Sequence, residues 1–115
     1  MKYTGNCHCK KVSFEVETDL SSVISCNCSH CGIKSLLLNF VASDKFKLIS
    51  GENNLISYKF NKHVIDHLFC NTCGVEPFAK GKDKEGHEVV SINVRCLNGI
   101  NHEEISITKV DGKNW

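Results

Sequence analysis

The chain has 115 residues, 41% hydrophobic and 23% charged, a composition that excludes a disordered or fibrous protein. Fourteen Lys and Arg against thirteen Asp and Glu leave a net charge of +1, which excludes a broad basic field for nucleic acid or an anionic membrane. The longest apolar run, LLLNFVA at 36–42, is interrupted by Asn39 and falls well short of the ~20 residues of a membrane span.

The dominant period along the chain is two. In KVSFEVE (11–17), Val12, Phe14 and Val16 share one face and Ser13, Glu15 and Glu17 the other. Short strands are likewise predicted at 35–42, 45–50, 55–60, 63–69, 88–94 and 104–110. Turn signals separate them at Ser43-Asp44, Gly51 to Asn54, Asn61-Lys62, Gly81 to Gly86 and Asn98-Gly99. No segment keeps helical periodicity for three turns, although 19–24 and 99–104 could each form a short helical turn. Seven short strands with tight turns predict one small antiparallel all-β domain over residues 1–115. A domain of this size builds a thin core, so a structural metal would add folding free energy that the unfolded chain lacks.

The cysteines point the same way. There are eight, about 7% of the chain, close to the density of disulfide scaffolds. The opening MKYTGNCHC has no apolar stretch to serve as a secretion signal. A cytoplasmic, reducing location is therefore expected, where clustered thiols bind metal. They fall as Cys7-x-Cys9, Cys26-x-Cys28-x-x-Cys31, Cys70-x-x-Cys73 and a single Cys96. Zinc in structural sites takes four tetrahedral ligands, usually two from each of two knuckles. Cys7/Cys9 and Cys70/Cys73 are the two natural pairs, and Gly74 suits a knuckle whose backbone N–H groups point at sulfur.

The central three remain. Three thiolates with an open position form a reactive site; three thiolates with Cys96 form a second closed one. Spacing alone leaves these two arrangements even, and Cys96 as a small buried group beside Val94 and Leu97 is a third. Among the histidines, His8 and His30 are expected to point away from the neighbouring ligands, His30 as a partly exposed bystander. His67 could donate a hydrogen bond to a ligand sulfur or simply pack. His87 and His102 read as surface.

Taken together, GNCHCKKVSFEVE, CNCSHC, HLFCNTCGVEPF, VSINVRCLNG and VDGKNW resemble the glutathione-dependent formaldehyde-activating enzyme family, also called the centromere protein V domain. The segment NNLISYKFNKHVIDHLFCNTCGVEPF is similar to its centromere-protein-V-like branch. The resemblance covers nearly the whole chain and implies an Mss4-like β-fold stapled by zinc. It implies two Zn2+ sites: a structural zinc on Cys7, Cys9, Cys70 and Cys73, and a catalytic zinc on Cys26, Cys28 and Cys31. The activity it implies is that of a carbon–sulfur lyase joining formaldehyde to the thiol of glutathione. The alternative it carries is a non-enzymatic, zinc-stapled binding module.

A small-molecule thiol such as glutathione is the expected partner. Three thiolates give a zinc site net charge −1, so nearby cations should assist an anionic substrate; Lys34, Lys62 and Arg95 are the candidates. Arg95 is best placed for a carboxylate. The chain departs from the family pattern at Gly32, where a basic residue is common, and at Ala79, where an aromatic is common. It also lacks the extra segments of longer family members.

Overall fold

A computed structural model describes residues 1–59, 65–101 and 104–110 of the protein. Its strands are β1 (Lys2–Asn6), β2 (Ser13–Glu17), β3 (Val23–Cys26), β4 (Leu37–Ala42), β5 (Phe46–Ser50), β6 (Leu55–Tyr58), β7 (Asp66–Cys70), β8 (Phe78–Lys82), β9 (Glu88–Asn93) and β10 (Ile107–Val110). A short helix, α1 (Ser29–Lys34), lies between β3 and β4, and a 3-10 turn, Val94–Cys96, follows β9. The strands form a three-stranded sheet, β1-β2-β5, and a seven-stranded sheet, β10-β3-β4-β9-β8-β7-β6. The all-β expectation holds. The pairs are antiparallel except β10 with β3, which run parallel.

Each of the seven predicted strand segments overlaps a strand, although the last becomes strand only at Ile107, and 55–60 and 63–69 reach outside the described residues at 60 and at 63–64. Three further strands and the helix were not predicted. Residues 23–24, the end of the candidate helical turn at 19–24, are instead the start of β3. β8 occupies 78–82, so the turn expected from 81 begins only after Lys82; Asp83 then closes it, accepting from the N–H groups of Glu85 and His87. The candidate helical turn at 99–104 and the turn at Asn61-Lys62 reach outside the described residues.

The alternation in β2 buries Phe14 and Val16 against the larger sheet. Phe14, Phe46 and Phe78 form an aromatic cluster with ring centroids 4.6–6.1 Å apart, joining β2, β5 and β8. Val12, Val23, Val90, Ile92 and Val94 complete the core, and so do Cys7 and Cys70. At Gly5, a Cβ would meet the Phe14 ring and, at 3.0 Å, the Cys96 carbonyl. The missing side chain lets β1 bridge to Leu97. That approach brings the Cys7 turn against the 94–98 segment. Among the described residues, no helix is long and apolar enough to cross a membrane.

Candidate functional site

Two turns bring four sulfurs together. After β1 the chain reverses: Cys7 N–H donates to the Val12 carbonyl (3.0 Å) and Lys10 N–H to the Cys7 carbonyl (3.2 Å), with Lys10 left-handed at φ 68°. The Val12 N–H points at Cys7 Sγ, 3.4 Å away. After β7 the second turn repeats the device. Gly74 N–H donates to the Cys70 carbonyl (2.9 Å), and Thr72 N–H points at Cys70 Sγ (3.4 Å). Gly74 has φ 79° and nothing near its absent Cβ, so its role is backbone conformation alone, as the CxxCG pattern suggested.

The Sγ atoms of Cys7, Cys9, Cys70 and Cys73 all lie within 4.8 Å of one another. Cys7–Cys9 and Cys9–Cys70 are each 3.6 Å apart. Sulfurs ~2.3 Å from a tetrahedral ion stand about 3.8 Å apart, so this set could hold a metal. Burial opposes ionisation of Cys73, but the N–H groups of Cys9 and Val75 and its sulfur neighbours outweigh it and bring the thiol down to about 6. At Cys9, the Lys11 N–H favours the thiolate; desolvation and the other three thiols prevail and push it up to about 11.

The central cluster is assembled locally. Cys26 ends β3, Cys28 is the N-cap of α1, and Cys31 lies within the helix, 7% exposed. The cap is the Cys28 sulfur itself, accepting from Cys31 N–H at 3.3 Å, while Cys28 N–H approaches Cys26 Sγ at 3.5 Å. A sulfur thus takes the place of the oxygen that usually caps a helix. The three Sγ atoms also lie within 4.8 Å of one another and could hold a metal. Burial works against the Cys28 thiolate, yet the N–H groups of Cys31 and His30 and the neighbouring thiols leave its thiol below the ordinary value. Burial pushes Cys31 far above it.

Cys96 stands apart. No fourth cysteine joins the central group among the described residues. Cys96 packs half-buried against the main core. Burial, with Cys7, Cys73 and Glu76 as negative neighbours, pushes its thiol up to about 12. Cys96 thus packs as a small side chain against the core and does not join Cys26, Cys28 and Cys31.

Beside the central cluster lies a group that sequence reasoning missed. Glu76, with its side chain 2% exposed, receives the Lys34 ammonium at 3.0 Å on Oε1. His30 Nε2 lies 3.2 Å from the same oxygen and His67 Nδ1 3.5 Å from Oε2. The two imidazoles overlap with centroids 3.9 Å apart, and Tyr58 stacks on His30 at 5.9 Å. Strand register explains the assembly. Tyr58, His67, Ala79, Ser91 and Phe40 are successive partners across β6, β7, β8, β9 and β4, and so share one face of the large sheet. Against that face α1 presents His30. Burial opposes the Glu76 carboxylate, but hydrogen bonds from His67 and Lys34 hold it below its usual range. Desolvation lowers His30, favouring the neutral ring.

The expectation of a partly exposed His30 is therefore corrected: its side chain is 8% exposed. His67 packs against Glu76. His87 is at the surface as expected, 71% exposed, facing Asp83 and Glu85, and His8 is also exposed. Lys34 is ion-paired to Glu76 and lies over the Phe69 ring at 5.1 Å. Arg95 is exposed, and its Nε donates to the carbonyl of Ser35, the residue closing α1 (2.9 Å). Lys62 and His102 lie outside the described residues. A Cβ on Gly32 would meet only ordinary contacts at 3.6 Å and beyond. Ala79 is the small cross-strand neighbour of His67. The signal for Glu76 was a lone carboxylate in the apolar stretch Val75-Glu76-Pro77-Phe78-Ala79, which can be buried only if it finds cations or donors.

Comparison with known proteins agrees with this architecture. A crystal structure of a Rhodobacter sphaeroides protein from a structural-genomics programme is similar, with a TM-score of 0.79 and 28% identity. The match covers 91% of this chain and 99% of that one. The family profile for the glutathione-dependent formaldehyde-activating enzyme matches residues 2–109. The cysteine groups, the β-architecture and this match agree: the chain belongs to the glutathione-dependent formaldehyde-activating enzyme (GFA) family.

Proposed function

We propose that the protein is a zinc-dependent enzyme of the carbon–sulfur lyase type. In this reading Cys7, Cys9, Cys70 and Cys73 hold a structural zinc, and Cys26, Cys28 and Cys31 a catalytic one. The observation that carries it is the central group itself: three gathered sulfurs with no fourth cysteine among the described residues. Family membership supports the thiol and aldehyde chemistry. No disulfide joins any of the eight cysteines, so their sulfurs are available as metal ligands.

The donor set suits zinc, and bound zinc would lower the pKa of a thiol taking the remaining position. The chain's own residues supply the frame. The backbone N–H groups of Cys28 and Cys31 hold the sulfurs of Cys26 and Cys28 in place. Arg95 is proposed to receive a carboxylate of a glutathione-like substrate. It is freer for this than Lys34, whose ammonium Glu76 already engages. In the net reaction the thiol sulfur bonds to the aldehyde carbon and the thiol proton passes to the carbonyl oxygen; the reverse breaks the carbon–sulfur bond.

The test is the rate of S-hydroxymethylglutathione formation and breakdown, measured against the spontaneous reaction and against metal-stripped protein. Acceleration that returns with zinc is the expected outcome. Equal rates with and without the zinc-loaded protein would remove glutathione as the substrate.

A further inference from the structure

We propose that His30, His67 and Glu76 form a third metal site, taking a divalent ion of the borderline class such as Fe2+, Co2+, Ni2+ or Zn2+. Two imidazoles with one carboxylate are a donor set for such ions, and its chemistry differs from that of both sulfur groups. One ligand atom from each residue lies within 4.8 Å of the other two. The Glu76 oxygens are 3.2 Å from His30 Nε2 and 3.5 Å from His67 Nδ1. Donors ~2.1 Å from an ion stand about 3.0 Å apart at right angles and about 3.4 Å at the tetrahedral angle, close to both histidine–carboxylate separations.

Three separate parts of the fold deliver the set: α1 supplies His30, β7 supplies His67, and the segment after the Cys70–Cys73 turn supplies Glu76. All three side chains are 9% exposed or less. A buried ion pair alone explains less of this arrangement. Lys34 already balances the Glu76 charge at 3.0 Å, yet two imidazoles are buried against the same carboxylate with rings 3.9 Å apart. A metal ion would draw on the same three donors that this packing already brings together. A dication with one carboxylate leaves net +1, and the adjacent three-thiolate group is a counter-charge. Lys34 is the competitor for Oε1, standing where a bound ion would draw on the carboxylate.

The test is a Co2+ titration in which the metal-free chain refolds as its sulfur groups fill, read by absorbance and by the metal content of the folded protein. Ions on the sulfur groups give sulfur-to-cobalt charge-transfer absorption; an ion on nitrogen and oxygen does not. One additional equivalent without that absorption is expected. Glu76→Gln and His67→Gln should each lose it while keeping the sulfur-derived signal. Lys34→Met should bind it more tightly, and Co2+ should raise its melting temperature more than it raises that of the wild type. A wild-type titration in which every bound ion brings charge-transfer absorption overturns the proposal, whatever the variants do. An additional equivalent retained in both Glu76→Gln and His67→Gln also overturns it. The sulfur signal reports separately on the two cysteine groups, so failure here leaves the proposed carbon–sulfur chemistry standing.

Discussion

The two cysteine groups use similar turns to opposite structural ends. Cys7 and Cys9 meet Cys70 and Cys73 across 61 residues of chain, joining the small sheet to the end of β7. Cys26, Cys28 and Cys31 span one β3–α1 turn and tie down little beyond it. Closing a long loop removes far more freedom from the unfolded chain than holding a local turn. Burial agrees with this division. Cys7 and Cys70 are 0% and 1% exposed within the main core, whereas Cys31 belongs to a small separate cluster with Leu36 and Leu38. The same kind of side chain thus lies in the main core in one place and in a small local cluster in the other.

The sharpest way to break this contrast is to open each group in turn. Cys70→Ser should abolish cooperative folding, because a metal held there would contribute folding free energy and the altered side chain sits in the core. Loss of the thermal transition in circular dichroism would show it. Cys28→Ser should keep the transition, lower the metal content by one equivalent, and reduce turnover by more than the ~10–100-fold typical of residues that only support a ligand. Should Cys28→Ser unfold as completely as Cys70→Ser, the division between staple and site is wrong.

How much of this could be read from the residues follows the range of the interactions. Ligand spacing is local, so CxC, CxCxxC and CxxCG marked both groups before any fold was known. The alternating strands were also legible, since Val12, Phe14 and Val16 bury on one side as their period requires. β8 was not, because Ala79, Lys80 and Gly81 have weak strand preference and gain theirs from pairing between β7 and β9. α1 escaped because six residues are too few for periodicity and its cap is a cysteine sulfur. Glu76 escaped for a third reason: its partners come from α1 and β7, and only the folded sheet brings them together.

Acidity sharpens the comparison with a smaller effect. In the first group Cys70 and Cys73 are both depressed, Cys73 to about 6 from the ordinary 9.0, while Cys9 is raised to about 11. A depressed thiol stabilises the fold fully above its ordinary value, and that contribution is lost as pH falls through about 6. In the central group Cys28 is depressed, and burial raises Cys31. Metal binding displaces the thiol protons, so the affinity of both groups falls as pH falls, and the central group has one thiolate fewer with which to hold its ion. As pH falls from mildly alkaline toward about 6, a competing chelator should strip the central equivalent first. Simultaneous loss of both, or earlier loss from the first group, would contradict this difference between the two groups.

The smallest expected effect concerns the rim of the central group. Arg95 is exposed and spends Nε on the Ser35 carbonyl, so it steadies the end of the helix that carries Cys31 while remaining available to an anion. Losing a charge-assisted contact to a carboxylate costs about 1.5–3 kcal/mol when the contact is well formed, and less at an exposed position. Arg95→Gln should therefore raise KM for a glutathione adduct about threefold to tenfold with kcat little changed, since such a contact binds substrate and transition state alike. Metal content should stay at the wild-type level. The two roles separate by substrate: a thiol lacking carboxylates should show no KM difference between Arg95→Gln and wild type. An equal loss with both thiols would assign Arg95 to holding α1 and not to recognising the substrate. The central group would then depend on its surrounding helix more than its local assembly suggests.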